Sequence, residues 1–337
     1  MALIFVGNFF SCSITHPEEE DIYVITMDMD TNIGCMEGSI MFRMCGNDIV
    51  TIDWGDGTAT DTFLLTPYID PDYWGVNIFH DYSDKFIYTI TITGKNITVL
   101  SISSEELVKI NVNKCKTFER LTCNWTNLSY LDLSGCTALK NLSCYGSHDI
   151  HGCITHLDVS GCTALKSLNC NFNRLTHLNV SDCIYLDNLM CNYNQLKNLD
   201  VSKNTALELL RCQVNLLSDL NISTITEIKQ LFCNDNQLTH LDISNNPVLI
   251  VLDCRRNQLT NLINSPNNKA LHFLDIEYNE LSSESINNFF ETLHSNQSKP
   301  PPGFDSDRFR FVNVMGNPGA EECESSIAEY KGWIVIK

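Results

Sequence analysis

Cysteine recurs at a fixed interval through the middle of the chain. Cys123, Cys144, Cys170, Cys191, Cys212, Cys233 and Cys254 follow one another every 21 residues, with a single step of 26 between Cys144 and Cys170. Ile102 stands 21 residues before the first and Ile276 stands 22 after the last, so nine positions share one column. A residue that exchanges with isoleucine behaves as a small buried hydrophobe, as free cysteine does in protein interiors. A unit of about 21 residues cannot bury its own apolar face, so successive units must stack and share one core.

The chain has 16 cysteines, which raises the alternative of a disulfide scaffold. A second column argues against it: Cys115, Cys136, Cys162 and Cys183 are continued by Asn204 and Asn246, so the position tolerates a residue that cannot bridge. Side chains stacked in a ladder also run parallel, which does not suit disulfide geometry. Free thiols are therefore expected. Cys35 and Cys45 lie outside both columns, with pairing between them left open. No Cys-x-x-Cys or mixed Cys/His spacing occurs, so neither a metal nor any other cofactor is expected.

Each unit reads Leu-x-x-Leu-x-Cys-x-x-Asn-x-Leu-x-x-Leu-Asp-Val-Ser, seen cleanly in Leu186 to Asn204 and Ile228 to Asn246. Leu-x-Cys alternates apolar with polar and predicts a short strand with one buried face. Asn173, Asn194, Asn215, Asn236, Asn257 and Asn279 come three residues after the column, where a buried amide can serve the backbone of a tight bend. The Leu-Asp-Val-Ser half predicts a second extended segment, which leaves no room for a long helix. The extra five residues of the long step fall at 147–153, and the unit at Thr224 to Ile228 lacks its second-column asparagine. Beyond the repeats, Ser283 to Leu293 has apolar residues at helical spacing. A proline-rich loop from Lys299 to Gly303, a strand at Phe309 to Val314, a helix from Ala320 to Tyr330 and a strand at Trp333 to Ile336 follow.

Residues 22–96 alternate in short segments at 22–28, 38–44, 49–54, 60–65 and 86–93, which suits a small antiparallel sandwich with Trp54 in its core. Asp53, Asp56, Asp70, Asp72 and Asp81 offer oxygen ligands, but not at EF-hand spacing, and read as solvated acidic surface. The formal net charge is −19, and the first 96 residues carry 15 acidic against 3 basic groups. Nucleic acids and anionic membranes, which need clustered Lys and Arg, are excluded as partners. No apolar run approaches the roughly 20 residues of a membrane span. Met1 to Phe10 is apolar and ends at Ser11-Cys12, the pattern of a lipoprotein signal remnant with Cys12 as the lipidated residue; residues 13–21 form an acidic tether.

Trp54-Gly55-Asp56-Gly57 with His80-x-Tyr82 and Tyr88-Thr89-Ile90-Thr91-Ile92 resembles the PKD-like fold. The repeat pattern is that of leucine-rich repeats, similar to internalin-like ones. Together with Gly316-Asn317-Pro318-Gly319 and the segment Ser326 to Trp333, it resembles secreted or surface leucine-rich-repeat proteins of Bacteroides and related bacteria. The resemblance implies an α+β, mostly β, chain: a right-handed solenoid of about nine 21-residue coils over 97–281. An N-terminal PKD/Ig-like sandwich (22–96) and a C-terminal α/β cap (282–337) close its ends. It also implies an exported, cell-surface or outer-membrane-anchored protein.

Solenoids bind on the concave face, where the residues flanking the buried column point. There the candidate ligand-binding residues are Trp125, Tyr145, Phe172, Tyr193, Arg211, Phe232, Arg255 and Tyr278. His156, His177 and His240 share a repeat position with Tyr130, Asn198, Asp219 and Asn261, a variable exposed site. No Gly-x-Ser-x-Gly, P-loop or His-Glu-x-x-His is present, so no catalytic residues are assigned. The expectation is a monomeric, non-enzymatic adhesion protein recognising a protein or glycan, host-derived ligands included. The alternative is a structural spacer or self-assembling surface-layer component.

Overall fold

The computed structural model describes residues 22–33, 39–68, 75–112, 115–147, 152–295 and 310–337. In β1 (Tyr23–Asp30), buried Ile25, Met27 and Met29 alternate with Thr26, Asp28 and Asp30, the two-residue period of a strand with one covered face. The same logic shapes β2 (Ser39–Gly46), β3 (Ile49–Asp53), β4 (Asp61–Leu64), β5 (Val76–Asp81), β6 (Ile87–Gly94), β7 (Ile97–Ser101) and β8 (Leu107–Asn111). β5 is not among the strands expected from the sequence. One sheet runs in the order β4-β3-β6-β1-β8; β5, β2 and β7 face it at the end of a second sheet. Between them Trp54 is buried, its Nε1 donating to Asp61 Oδ2 at 2.7 Å and its ring stacked on His80.

No linker separates this sandwich from the repeats. β7 pairs antiparallel with β2 on one side and parallel with β9 (Arg120–Thr122) on the other, matching Leu100 with Met44 and with Leu121. β8 likewise pairs antiparallel with β1. The first coil of the solenoid is thus also an edge of each sandwich sheet.

The chain then continues through β10 (Tyr130–Asp132), β11 (Asn141–Ser143), β12 (His156–Asp158), β13 (Ser167–Asn169), β14 (Asn188–Met190), β15 (Leu209–Arg211) and β16 (Gln230–Phe232). It completes the repeats with β17 (His240–Asp242), β18 (Val251–Asp253), β19 (Asn261–Ile263) and β20 (Phe273–Asp275). α1 (Ser283–Thr292), β21 (Phe311–Asn313), α2 (Ser325–Glu329) and β22 (Ile334–Ile336) end the described chain. Among the described residues, 13 strands form one sheet in the order β22-β21-β20-β18-β16-β15-β14-β13-β11-β9-β7-β2-β5, parallel and in register from β7 to β22. Among the described residues, the opposite side carries only the pairs β10-β12 and β17-β19. The remaining Leu-Asp-Val-Ser segments run without a ladder.

The core is two stacked columns inside this coil. Leu121, Leu142, Leu168, Leu189, Leu210, Leu231, Leu252 and Leu274 are buried, each contributing about 2 kcal/mol or more by leaving water. Beside them lie Cys123, Cys144, Cys170, Cys191, Cys212, Cys233 and Cys254, also buried and unbonded. Val314 continues the column beyond Ile276, with Asn317 three residues on as for the other units, so the solenoid has about ten turns rather than nine. β21 and β22 extend the same sheet across the boundary expected at 281/282.

Two glycines explain how the 26-residue step is tolerated. A Cβ on Gly146 would come within 2.3 Å of the Gly152 Cα and 2.0 Å of the Phe172 carbonyl oxygen. The chain therefore leaves and re-enters the coil through a neck that only hydrogen can line; residues 148–151 lie outside the described residues. At the C-terminal end, Ser282 caps α1 by accepting the Ser285 amide, and Ile286, Phe289 and Phe290 pack inward. The helix expected at 320–330 shortens to α2, whose first turn has no side-chain cap. The proline-rich loop at 299–303, the acidic tether and Cys12 fall outside the described residues.

Candidate functional site

The asparagine ladder fixes the bend that follows every strand of the long sheet. Asn215 Nδ2 donates to Cys191 O and Cys212 O at 3.1 Å each, while its Oδ1 accepts the Leu196 amide at 2.9 Å. Asn173, Asn194, Asn236, Asn257, Asn279 and Asn317 repeat this three-way bond, tying each coil to the one before it. One residue earlier the backbone must reverse. It does so in the left-handed region at Trp125, Phe172, Tyr193, Val214, Asp235, Arg256 and Tyr278, with φ between +50° and +55°. Glycine is the residue that takes this conformation freely, and each L-residue there costs about 1 kcal/mol or more. Among the described residues, only Gly316 fills the equivalent position with a positive-φ glycine.

The cost is borne by side chains that project from the rim of the sheet. Trp125 and Tyr278 are 49% and 46% exposed. Trp125 meets Tyr145 edge-on at 5.3 Å, Phe172 stacks on Tyr193 at 4.3 Å, and the Arg256 guanidinium lies 5.5 Å from the Tyr278 ring centre. Packing between rings and presentation to solvent thus coexist: the rings brace each other in separate pairs along the rim, with Val214 and Asp235 at the turns between. Below the rim, a groove of about 210 Å³ is lined by Tyr193, Asn194 and Val214.

The sheet face itself is tighter than the sequence suggests. Asn124, Asn192, Asn234, Asp253, Asp275 and Glu277, polar residues that flank the buried column, are all buried. Their neighbours on adjacent strands hold them: Asn124 Oδ1 accepts from Ser143 Oγ and the Tyr145 amide, and Asn171 Oδ1 accepts the Asn192 amide. Arg211 lies 4.7 Å from the Phe232 ring centre, so both are half-buried. Near the C-terminal end Arg255 faces three carboxylates, with Nε 3.5 Å from Asp253, and Nη1 3.4 Å from Asp275 and 3.9 Å from Glu277. Burial pushes the Asp253 carboxyl up to about 6, against the pull of Arg255 and helped by the charge of Asp275. Burial and Glu277 raise Asp275 as well.

Elsewhere the chemistry is structural. Burial pushes the Cys123 and Cys170 thiols up to about 12, far from the thiolate form a nucleophile or metal ligand needs. Cys45 is buried and unbonded, and Cys35 lies outside the described residues. Of the five aspartates that offer oxygen ligands, Asp70 and Asp72 lie outside the described residues. Asp56 binds His80 Nε2 at 2.7 Å and accepts from Thr58, Asp53 accepts the Gly55 amide, and Asp81 accepts from Ser39 Oγ. His156, His177 and His240 are exposed. Among the described residues, no cluster of His, Cys, Asp and Glu could hold a metal ion, and no helix is long and apolar enough to cross a membrane.

No protein-family model and no curated protein matches the chain. Among solved structures it is similar to the functional domain of InlJ from Listeria monocytogenes, described as including a cysteine ladder. The TM-score is 0.57 at 29% identity, over 71% of this chain and 49% of that one. It is also similar in fold to the leucine-rich-repeat protein LIC12759 of Leptospira interrogans, with TM-score 0.53 and 20% identity over 66% and 55% of the two chains. The chain spans about half the length of these structures. Its fold is a mostly β leucine-rich-repeat solenoid of about ten turns.

Proposed function

We propose that this protein is a non-enzymatic, exported adhesion scaffold that binds a protein partner along the aromatic rim and adjoining sheet face of its repeats. Trp125, Tyr145, Phe172, Tyr193, Arg211, Phe232, Arg255 and Tyr278 are the contact residues of this reading. One observation carries it: bulky side chains occupy a backbone position where glycine would be cheaper in free energy, coil after coil. A scaffold needing only to stack has no use for Trp125 or Tyr278 in that conformation. Exposed aromatics on a rigid frame are the common anchors of protein interfaces, and solenoids present extended surfaces for such contacts. The sandwich is read as a PKD-like cap and the segment after the repeats as the opposite cap, each covering an end of the stack. Surface attachment through Cys12 belongs to the same reading.

The test exploits the backbone. A triple variant, Trp125→Gly, Phe172→Gly and Tyr193→Gly, removes the rings while keeping the left-handed turns relaxed. Binding of the full chain to a host and bacterial surface-protein array is expected to fall at least tenfold, with an unchanged circular dichroism spectrum. Full retention of every array signal favours the spacer or self-assembly role instead.

A further inference from the structure

On the solenoid's second side, the first gap in the ladder lies where the sandwich begins. β8 is drawn into the sandwich by its antiparallel pairing with β1, whereas β10 pairs only with β12, the next coil. β8 and β10 approach within 8 Å at their Cα atoms yet form no ladder. A cleft of about 490 Å³ opens between them, lined by Val108, Lys109, Ile110, Asn111, Ser129, Tyr130, Asp132 and Ser134. That volume falls in the range of small-ligand sites.

We infer that this cleft binds a carbohydrate, a neutral pyranose ring or short oligosaccharide. The first reason is its wall. Tyr130 is 52% exposed and stacks on the His156 ring of the next coil, 2° and 4.8 Å apart, so His156 braces the tyrosine that lines the cleft. The equivalent position in later coils is filled by His177, Asn198, Asp219, His240 and Asn261, so tyrosine occurs only beside the cleft. An exposed tyrosine ring at a polar margin matches the C–H face of a sugar ring, whose hydroxyls lie around its edge.

The second reason is the margin. The Ser129 and Ser134 hydroxyls make no hydrogen bond among the described residues. Asp132 uses Oδ1 to accept the Ser134 amide, leaving Oδ2 open. Half of the backbone groups of an antiparallel strand such as β8 turn away from its partner, here toward the cleft. These are paired donors and acceptors of the kind that hydroxyl groups satisfy.

The third reason is what the cleft rejects. Lys109 lies 3.7 Å from Asp28, and Asp158, held well ionised by bonds from Ser160, adds negative charge next to Asp132. An anionic ligand is disfavoured. An extended peptide inserted between β8 and β10 would need about 4.8 Å to each neighbour, more room than the two strands leave.

The test uses the full chain with cellobiose, maltose, lactose, chitobiose and mannobiose as probes, by saturation-transfer NMR and calorimetry, alongside a broad glycan array. At least one saccharide is expected to bind saturably. Tyr130→Ala should weaken it at least tenfold, Tyr130→Phe should retain it, and Asp132→Asn, which keeps the Oδ1 cap, should weaken it several-fold. The rim triple variant should leave it unchanged, so this site and the protein-binding rim fail or stand separately. Absence of any saccharide signal, binding indifferent to Tyr130→Ala in folded protein, or capture of an extended peptide in place of sugar overturns the inference.

Discussion

At the scale of single residues, the structure depends on amides more than on its periodic thiols. Asn215 is buried and answers three backbone groups from two coils. Asn215→Ala leaves those groups without partners inside the core, at roughly 1–3 kcal/mol for the orphaned set. Urea unfolding is expected to show a loss of about 3 kcal/mol; a loss under 1 kcal/mol would mean that water replaces the amide. Val214 tests the left-handed turn from the other direction. It is a β-branched residue at φ +55°, and Val214→Gly trades relief of strain against the greater freedom of unfolded glycine. The expected net gain is up to about 1 kcal/mol in the same measurement, and a clear loss would show that the turn is unstrained. The asparagines were legible in the sequence because their chemistry matches their spacing. The turn was not: left-handed backbone announces itself through glycine or asparagine, and here aromatics, valine, aspartate and arginine conceal it.

At the scale of elements, β18 and β20 store an electrostatic imbalance, with Asp253, Asp275 and Glu277 sharing one guanidinium. The folded Asp253 carboxyl titrates near 6, above the roughly 3.9 of an unfolded chain, so the native state binds the extra proton. Its contribution to stability is present below about pH 4 and is lost as pH rises through 6. Asp253→Asn should therefore stabilise the protein by up to about 2 kcal/mol at pH 7.5 and flatten the stability change between pH 7 and 5. Identical pH profiles for variant and parent would mean that Asp253 does not titrate with folding. The other elements differ in how plainly the sequence marks them. β1 and β6 alternate cleanly, but in β5 the adjacent Ile78 and Phe79 are buried and exposed respectively, which blurs the alternation. The turn built on Val314 and Asn317 is separated from Ile276 by a long segment containing α1, so its 21-residue spacing is lost although its geometry is kept.

At the scale of the whole molecule, the sheet that passes from β5 through β7 to β22 makes the sandwich and the repeats mechanically one body. Unfolding of the full chain is expected to be a single transition by calorimetry and circular dichroism. A fragment beginning at residue 97 would lose the β2–β7 and β1–β8 pairings and expose buried Leu100 and Leu107. It should melt at least 10 °C lower or aggregate. An independently stable fragment would mark the junction as a mere contact. This sharing of strands could not be read from the sequence, because β7 and β8 satisfy the repeat pattern and the sandwich pattern equally well.

The unbonded thiol column has a consequence for where the protein can work. Crosslinked surface domains depend on an oxidant to mature and weaken when a reductant reaches them. Here the cohesion of the repeats comes from packed side chains and amide bonds, so the coil is expected to keep its shape in glutathione or without oxygen, whatever the order in which the column's cysteines emerge from the ribosome.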